Sequence, residues 1–356
     1  MNLFVADPEW GVWIVAYFFL GGIAAGAYFT AALIQLVSGP NDRGLARAGY
    51  FIAFPLIALC GIFLIVDLHR PERFWHMLFK SEVVTEALHA GWPLSSRGWS
   101  LMWHAPMFKY WSPMSVGSWA LAFFGACSAI SFVGSLWPDR LIGRVVFHHL
   151  IGRIIAVIGC LAGFFIAAYT GTLLSATSQP VWSDSVWVAP LFLTSAGSTG
   201  IAAMILLIRW RGLASTESVE RLERADLWAL GLELVVFAIF LASLGANLGA
   251  FVGTWSGRVF LVAVPLLGLL APLAIHLRLG MDGQRAEIAA ATLALVGGLL
   301  LRYGLLAAPP ELLREGSVQV AGFGPEDGRI RGGGRGADPG NFTKPVDPHS
   351  KAYPRE

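Results

Sequence analysis

Charge is what this chain has least of. Of its 356 residues only 13% are Asp, Glu, Lys or Arg, against 56% hydrophobic; an ordinary soluble domain carries about 25% charged residues. So thin a charged complement cannot clothe the water-facing surface of a chain this long. Nor can the apolar surplus be hidden in one larger core, because cores stop growing and split into domains. The surplus must face lipid. A soluble enzyme, a secreted disulfide scaffold and a nucleic-acid-binding domain are excluded, and a net charge of +2 says nothing of acidic partners.

Cysteine is nearly as scarce. Cys60, Cys127 and Cys160 are the only three. Each sits in an apolar run and none pairs at a metal-ligand spacing, the pattern of small apolar core residues. The chain therefore builds no iron–sulfur cluster and no zinc site from its own thiolates. Lysine is limited to Lys80, Lys109, Lys344 and Lys351, all outside the apolar runs.

Long apolar runs are what is there. A spanning helix needs about 20 mostly apolar residues, and eight stretches qualify: 12–36, 50–68, 116–136, 150–174, 186–210, 226–248, 258–279 and 287–306. The first follows no basic leader and is too long for a signal-peptide core, so it reads as a retained helix. Eight spans put both termini on one side. Arg43 and Arg47 follow the first span, Arg140, Arg144 and Arg153 border the fourth, Arg209, Arg211, Arg221 and Arg224 follow the fifth, and Arg278 and Arg285 follow the seventh. Segments 1–11, 175–185 and 249–256 contain no Lys or Arg. Basic loops stay in the cytoplasm, which predicts both termini outside.

The expected architecture is an all-α integral membrane bundle of about eight transmembrane helices over residues 1–308, with an outer loop, 69–115, rich in Trp and His. Residues 309–356 are dense in Gly, Pro and charge, a composition that buries no core and reads as a disordered outer tail. Gly22–Gly26, Gly159–Gly163, Gly245–Gly249 and Gly249–Gly253 are GxxxG pairs that predict close helix packing. Pro55, Pro190, Pro265 and Pro272 predict kinks. No internal repeat supports an inverted-repeat transporter.

Ionisable residues at membrane depth mark function by default. The second span ends in Asp67-Leu68-His69-Arg70-Pro71-Glu72-Arg73-Phe74, an acid, an imidazole and guanidiniums at one helix mouth. The bland reading is an Asp67–Arg70 ion pair that pins the helix end. The fourth span ends at the same outer level with Tyr169, Thr170 and Thr172, followed by Gln179 and Trp182. A quinone head group needs donors to two carbonyls, a nearby proton exchanger and an apolar slot, and Asp67, His69 and Tyr169 offer the first two. Tyr169 taken alone reads as an ordinary interface aromatic. Glu233, about two turns into the sixth span, and Arg302 in the eighth are candidates for a proton path; Glu233 would alternatively pair with an interfacial arginine. A b-type haem would need axial histidines from two helices, and His148 or His149 with His276 form the one conceivable clamp.

These motifs resemble the NrfD/PsrC family of polysulfide reductase membrane subunits. The resemblance is carried by the 17–26 stretch Tyr-Phe-Phe-Leu-Gly-Gly-Ile-Ala-Ala-Gly, the Asp67–Phe74 run and Ser112-Pro113-Met114-Ser115-Val116-Gly117-Ser118-Trp119. Tyr169-Thr170-Gly171 with Pro180-Val181-Trp182, Pro190-Leu191-Phe192 through Gly197, and Leu301-Arg302-Tyr303-Gly304 continue it in the family's order. The resemblance implies a subunit of eight or nine helices in the bacterial inner membrane, without a redox metal of its own. Such a subunit passes electrons between a membrane quinone (menaquinone or ubiquinone) and a four-cluster, ferredoxin-like iron–sulfur partner carrying 4Fe-4S clusters. That partner docks on the outer face beneath a molybdopterin-type or related catalytic subunit. Asp67, His69, Arg70, Tyr169, Thr170, Thr172, Gln179 and Trp182 would then surround the quinone. The family commonly has Gly where this chain has His69. The segment between Arg73 and Ser112 is longer here and reads as partner contact or interfacial packing. A haem b quinol cytochrome and a non-redox proton- or ion-translocating subunit are the alternatives.

Overall fold

The computed structural model describes residues 10–39, 42–68, 70–213, 215–277 and 283–315. In chain order the helices are α1 (Val12–Val37), α2 (Arg43–Asp67), α3 (Ser81–His89), α4 (Ser96–Met102), α5 (Pro113–Leu136), α6 (Leu141–His148) and α7 (Leu150–Ser175). They continue with α8 (Val188–Arg211), α9 (Thr216–Ser243), α10 (Leu248–Gly253), α11 (Trp255–Ala263), α12 (Ala271–His276) and α13 (Gln284–Glu315). Eight helical stretches among the described residues are long and apolar enough to cross a membrane: α1, α2, α5, α7, α8, α9, α11 running through a π-helical segment into α12, and α13. Helix is the form such runs must take, since lipid offers no partner to an unpaired backbone group.

Two ends emerge from the contacts. Arg47–Ser135, Gln35–Val146, Arg221–Asp42 and Arg209–Glu287 tie the arginine-rich ends of the spans together. Tyr169–Pro113, Ser185–Ser243, Ser256–Glu311 and Trp182–Leu305 tie the opposite, arginine-poor ends. α1 and α8 form the centre, each with 67% of its apolar window buried. Small residues make this possible. Gly26 of α1 lies against the Ala196 carbonyl of α8, and Gly200 against the backbone of Gly26 and Ala27, so neither position has room for a Cβ. Gly159 accepts the ring of Tyr28.

Three expectations change in the structure. The Gly245–Gly249 and Gly249–Gly253 pairs do not mediate packing: a Cβ at any of the three meets open space, and Gly245 takes a turn conformation at φ +50°. The close approach in that region is instead Gly268 of the π-helical segment against Gly297 of α13. Pro265 and Pro272 open the π-helical segment and α12, whereas Pro55 lies inside α2 without ending it. Finally, α13 does not stop at residue 308. It continues through Pro309 and Pro310, because Leu312 is buried and Glu311 accepts from the Ser256 backbone N–H and hydroxyl, both at 2.9 Å, at the start of α11. A carboxylate at those orphan amides supplies the acceptor that the helix end lacks. The rest of the expected tail lies outside the described residues.

The expected outer loop is structured. A 3-10 turn (Pro71–Met77), α3 and α4 are drawn together by Lys80 N–H to Ala105 carbonyl and Met107 N–H to Leu78 carbonyl, both 2.8 Å. The Ser-Pro-Met-Ser motif starts α5: Ser112 accepts from the Ser115 N–H, Pro113 takes the first turn where no N–H is needed, and the Ser115 hydroxyl accepts from Lys109 N–H at 3.1 Å.

Candidate functional site

At the arginine-poor side α5 packs against both α2 and α7, and Tyr169 near the end of α7 is joined to Pro113 at the start of α5. Asp67 closes α2, half-buried, and the chain then turns extended at Leu68. That turn carries Arg70 out to an exposed position, and no Asp67–Arg70 ion pair forms among the described residues. His69 lies outside the described residues. Tyr169 donates its hydroxyl to the Pro113 carbonyl at 2.5 Å and stacks on Phe165, while Gly117 of α5 leaves space for its ring. Beside this junction α2 and α5 enclose a cleft of about 250 Å³, lined by Phe54, Ile57, Leu64, Leu68, Phe74 and Met77 among others, with Ser118 as its hydroxyl. Leu68, which follows Asp67 in the chain, is part of the lining.

The structure does not gather all the expected residues there. Thr170 and Thr172 donate to the Ala167 and Ala168 carbonyls of their own helix, at 2.9 and 3.1 Å. Trp182 is fully buried toward α13, with its indole N–H on the Leu305 carbonyl at 2.7 Å and its ring stacked on Trp10. Gln179 is buried in the same turn region. Tyr17 of α1 joins instead: it is buried within electrostatic reach of Tyr169 and Cys60, and its carbonyl accepts from the Cys60 thiol at 3.6 Å. Its only signal in the sequence was its place in the first-helix motif.

A second polar cluster lies inside the bundle. Arg302 of α13, 1% exposed, donates to the Phe18 carbonyl (3.1 Å), the Gly298 carbonyl (2.9 Å) and the Ser195 hydroxyl (3.0 Å). Its guanidinium lies 5.3 Å from the centre of the Phe192 ring and occupies a recess that a Cβ at Gly22 would fill. Glu233 of α9, 2% exposed, accepts from Ser198 of α8 and stands within electrostatic reach of Ser195, Arg302 and Asp226. Toward the arginine-rich end follow the Asp226–His276 pair at 2.9 Å, Glu223, and the Arg209–Glu287 ion pair. His276, a candidate haem ligand by sequence, thus has its Nε2 on a carboxylate. Glu223, Asp226 and Glu233 stand at i, i+3 and i+10 on α9, one face of a helix. That spacing was readable; the serines of α8 that bridge it to Arg302 were not.

The fold and these sites define a multi-pass helical membrane protein with an ionisable cluster packed in its core and a polar junction at one helix mouth. Residues 5–310 match the family model described as polysulphide reductase, NrfD, and the chain belongs to that family. It is 28% identical over 318 residues to the protein NrfD of Escherichia coli, covering 84% of this chain and 94% of that protein. It is 27% identical to a polysulfide reductase chain of Wolinella succinogenes, over 54% of this chain and 56% of that protein. A shorter match, 30% identical, covers 22% of this chain and 18% of a selenate reductase subunit of Mesobacillus selenatarsenatis.

Proposed function

We propose that this chain is the quinone-binding membrane subunit of a reductase complex, exchanging electrons between the membrane quinone pool and an iron–sulfur partner. The names of its relatives, a polysulfide reductase chain and a selenate reductase subunit, support the membership in a complex. The observation that carries the quinone reading is the apolar cleft between α2 and α5, whose lining includes Leu68, the residue that follows Asp67 in the chain. An isoprenoid tail fits an apolar slot that opens at a polar mouth. When bound, the quinone supplies two-electron chemistry coupled to two protons. Asp67 exchanges a proton at its carboxyl oxygen, with His69 as a second exchanger, and Tyr169 moves its hydroxyl from the Pro113 carbonyl to a head-group oxygen. Arg70 and Arg73, both exposed, face the partner. The partner is a ferredoxin-like subunit with 4Fe-4S clusters that joins a molybdopterin-type or related catalytic subunit. It docks at the arginine-poor end, on the outer side of the inner membrane, where both termini also lie.

The internal cluster gives this subunit a second task. Glu233, Ser198, Ser195 and Arg302, continued by Asp226 and His276, form a route for protons from the arginine-rich face toward the middle of the bundle. Asp67→Asn and Tyr169→Phe are each expected to abolish quinone-linked turnover of the assembled complex while leaving co-purification of the partners unchanged. Wild-type turnover in both removes the site. An absorption spectrum of the purified chain with a b-haem Soret band would favour the cytochrome alternative.

A further inference from the structure

The arginine-rich end carries two adjoining cavities that neither the quinone site nor the proton route uses. The larger, about 470 Å³, is a cleft among α1, α7, α8 and α9, apolar over most of its wall, with Phe29, Leu33, Phe164, Leu193 and Leu232 in the lining. The second, about 330 Å³, is a polar cup lined by Gln35, Arg43, His148 and Arg153. Ile34, Ser38 and Asp42 line both, so the cup and the cleft lie side by side. Both volumes fall in the range of ligand sites, about 300–1,000 Å³.

Charge decides what fits. Asp42 is the one acid in either lining, and its Oδ1 already accepts from the Ser218 hydroxyl at 2.7 Å and from Arg221 at 2.8 Å. Arg43 and Arg153 form no ion pair among the described residues. The cup therefore presents two uncompensated guanidiniums and an imidazole beside a wall of hydrocarbon. A phosphate fits the first and acyl chains the second. Basic pockets between spanning helices bind lipid head groups in this way.

We propose that these cavities hold one anionic phospholipid, its phosphate between Arg43 and Arg153 and an acyl chain in the cleft beneath Asp42. Free phosphate shares the head-group chemistry but leaves the cleft empty.

The full chain, reconstituted in nanodiscs of phosphatidylcholine with or without phosphatidylglycerol, provides the test. Native mass spectrometry of the released protein is expected to show phosphatidylglycerol retained in preference to phosphatidylcholine, and the thermal midpoint to rise with the anionic lipid. Arg43→Gln combined with Arg153→Gln should weaken retention about thirtyfold and erase the rise. Arg144→Gln, which removes an arginine at the same end that lines neither cavity, should keep both. Equal retention of the two lipids by the wild-type protein overturns the proposal whatever the variants do. So does full retention by the double variant. A rise of the same size with inorganic phosphate in phosphatidylcholine discs overturns it in favour of a free-anion site.

Discussion

Arg302 and Glu233 were legible as residues because each interrupts an apolar run, and a charge inside lipid demands a partner. The partners themselves were not legible. Arg302 reaches a carbonyl 284 positions away and a serine 107 positions away, and nothing local distinguishes Ser195 from Ser198, the other serine of α8. Replacing Arg302 by Met leaves the Phe18 carbonyl and the Ser195 hydroxyl without their donor and Glu233 without its counter-charge. A loss of about 3 kcal/mol is expected, read as the midpoint shift in a denaturant titration of the solubilised protein. Glu233→Gln keeps an acceptor for the Ser198 hydroxyl. It should fold normally and still lose proton uptake in reconstituted vesicles during quinone-linked turnover; undiminished uptake removes Glu233 from the route. Asp67 and Tyr169 were visible as a polar residue and an aromatic at two helix ends. The turn that swings Arg70 away from Asp67, and the carbonyl that receives the Tyr169 hydroxyl, belong to the folded loop alone.

Among the elements, α1 and α8 show how far small-residue patterns can be trusted. Gly26 and Gly200 lie where two backbones touch, so Gly26→Leu must push α8 aside. Overpacking of this kind costs about 1–3 kcal/mol, and the expected sign is loss of the monodisperse peak in size-exclusion chromatography on mild heating. Gly249→Ala, in a pair of the same spacing, meets open space and should shift the unfolding midpoint by no more than about 0.5 kcal/mol. Spacing alone does not separate the two cases, because a GxxxG pair specifies a groove on one helix and says nothing of whether another helix lies in it. The same reasoning explains α13. Two prolines at 309 and 310 read as a stop, but the helix survives because its end packs Leu312 inward and offers Glu311 to α11.

For the whole molecule, the two-ended contact pattern makes the orientation testable. The native cysteines are buried, so a thiol introduced at exposed Ser183 or exposed Glu220 is the one that reacts. With a membrane-impermeant maleimide on intact cells stripped of their outer membrane, Ser183→Cys should label at once and Glu220→Cys only after permeabilisation. The opposite order reverses the assignment of inside and outside, and with it the face on which the iron–sulfur partner docks.

Scarcity of charge, the eight apolar runs and the placement of arginines determined that this chain lives in lipid, how many times it crosses and which ends belong together. These are properties of about 20 residues at a time, and each run can be read without the others. The motif series determined the family on the same local basis. Only the tertiary structure decided which polar groups meet, that Trp182 turns toward α13 while Tyr169 turns toward α5, and that a basic cup lies beside an apolar cleft behind α1. Such meetings depend on how helices far apart in the chain rotate and approach one another. In lipid, where the solvent is as apolar as the side chains, close packing and polar pairing set that rotation.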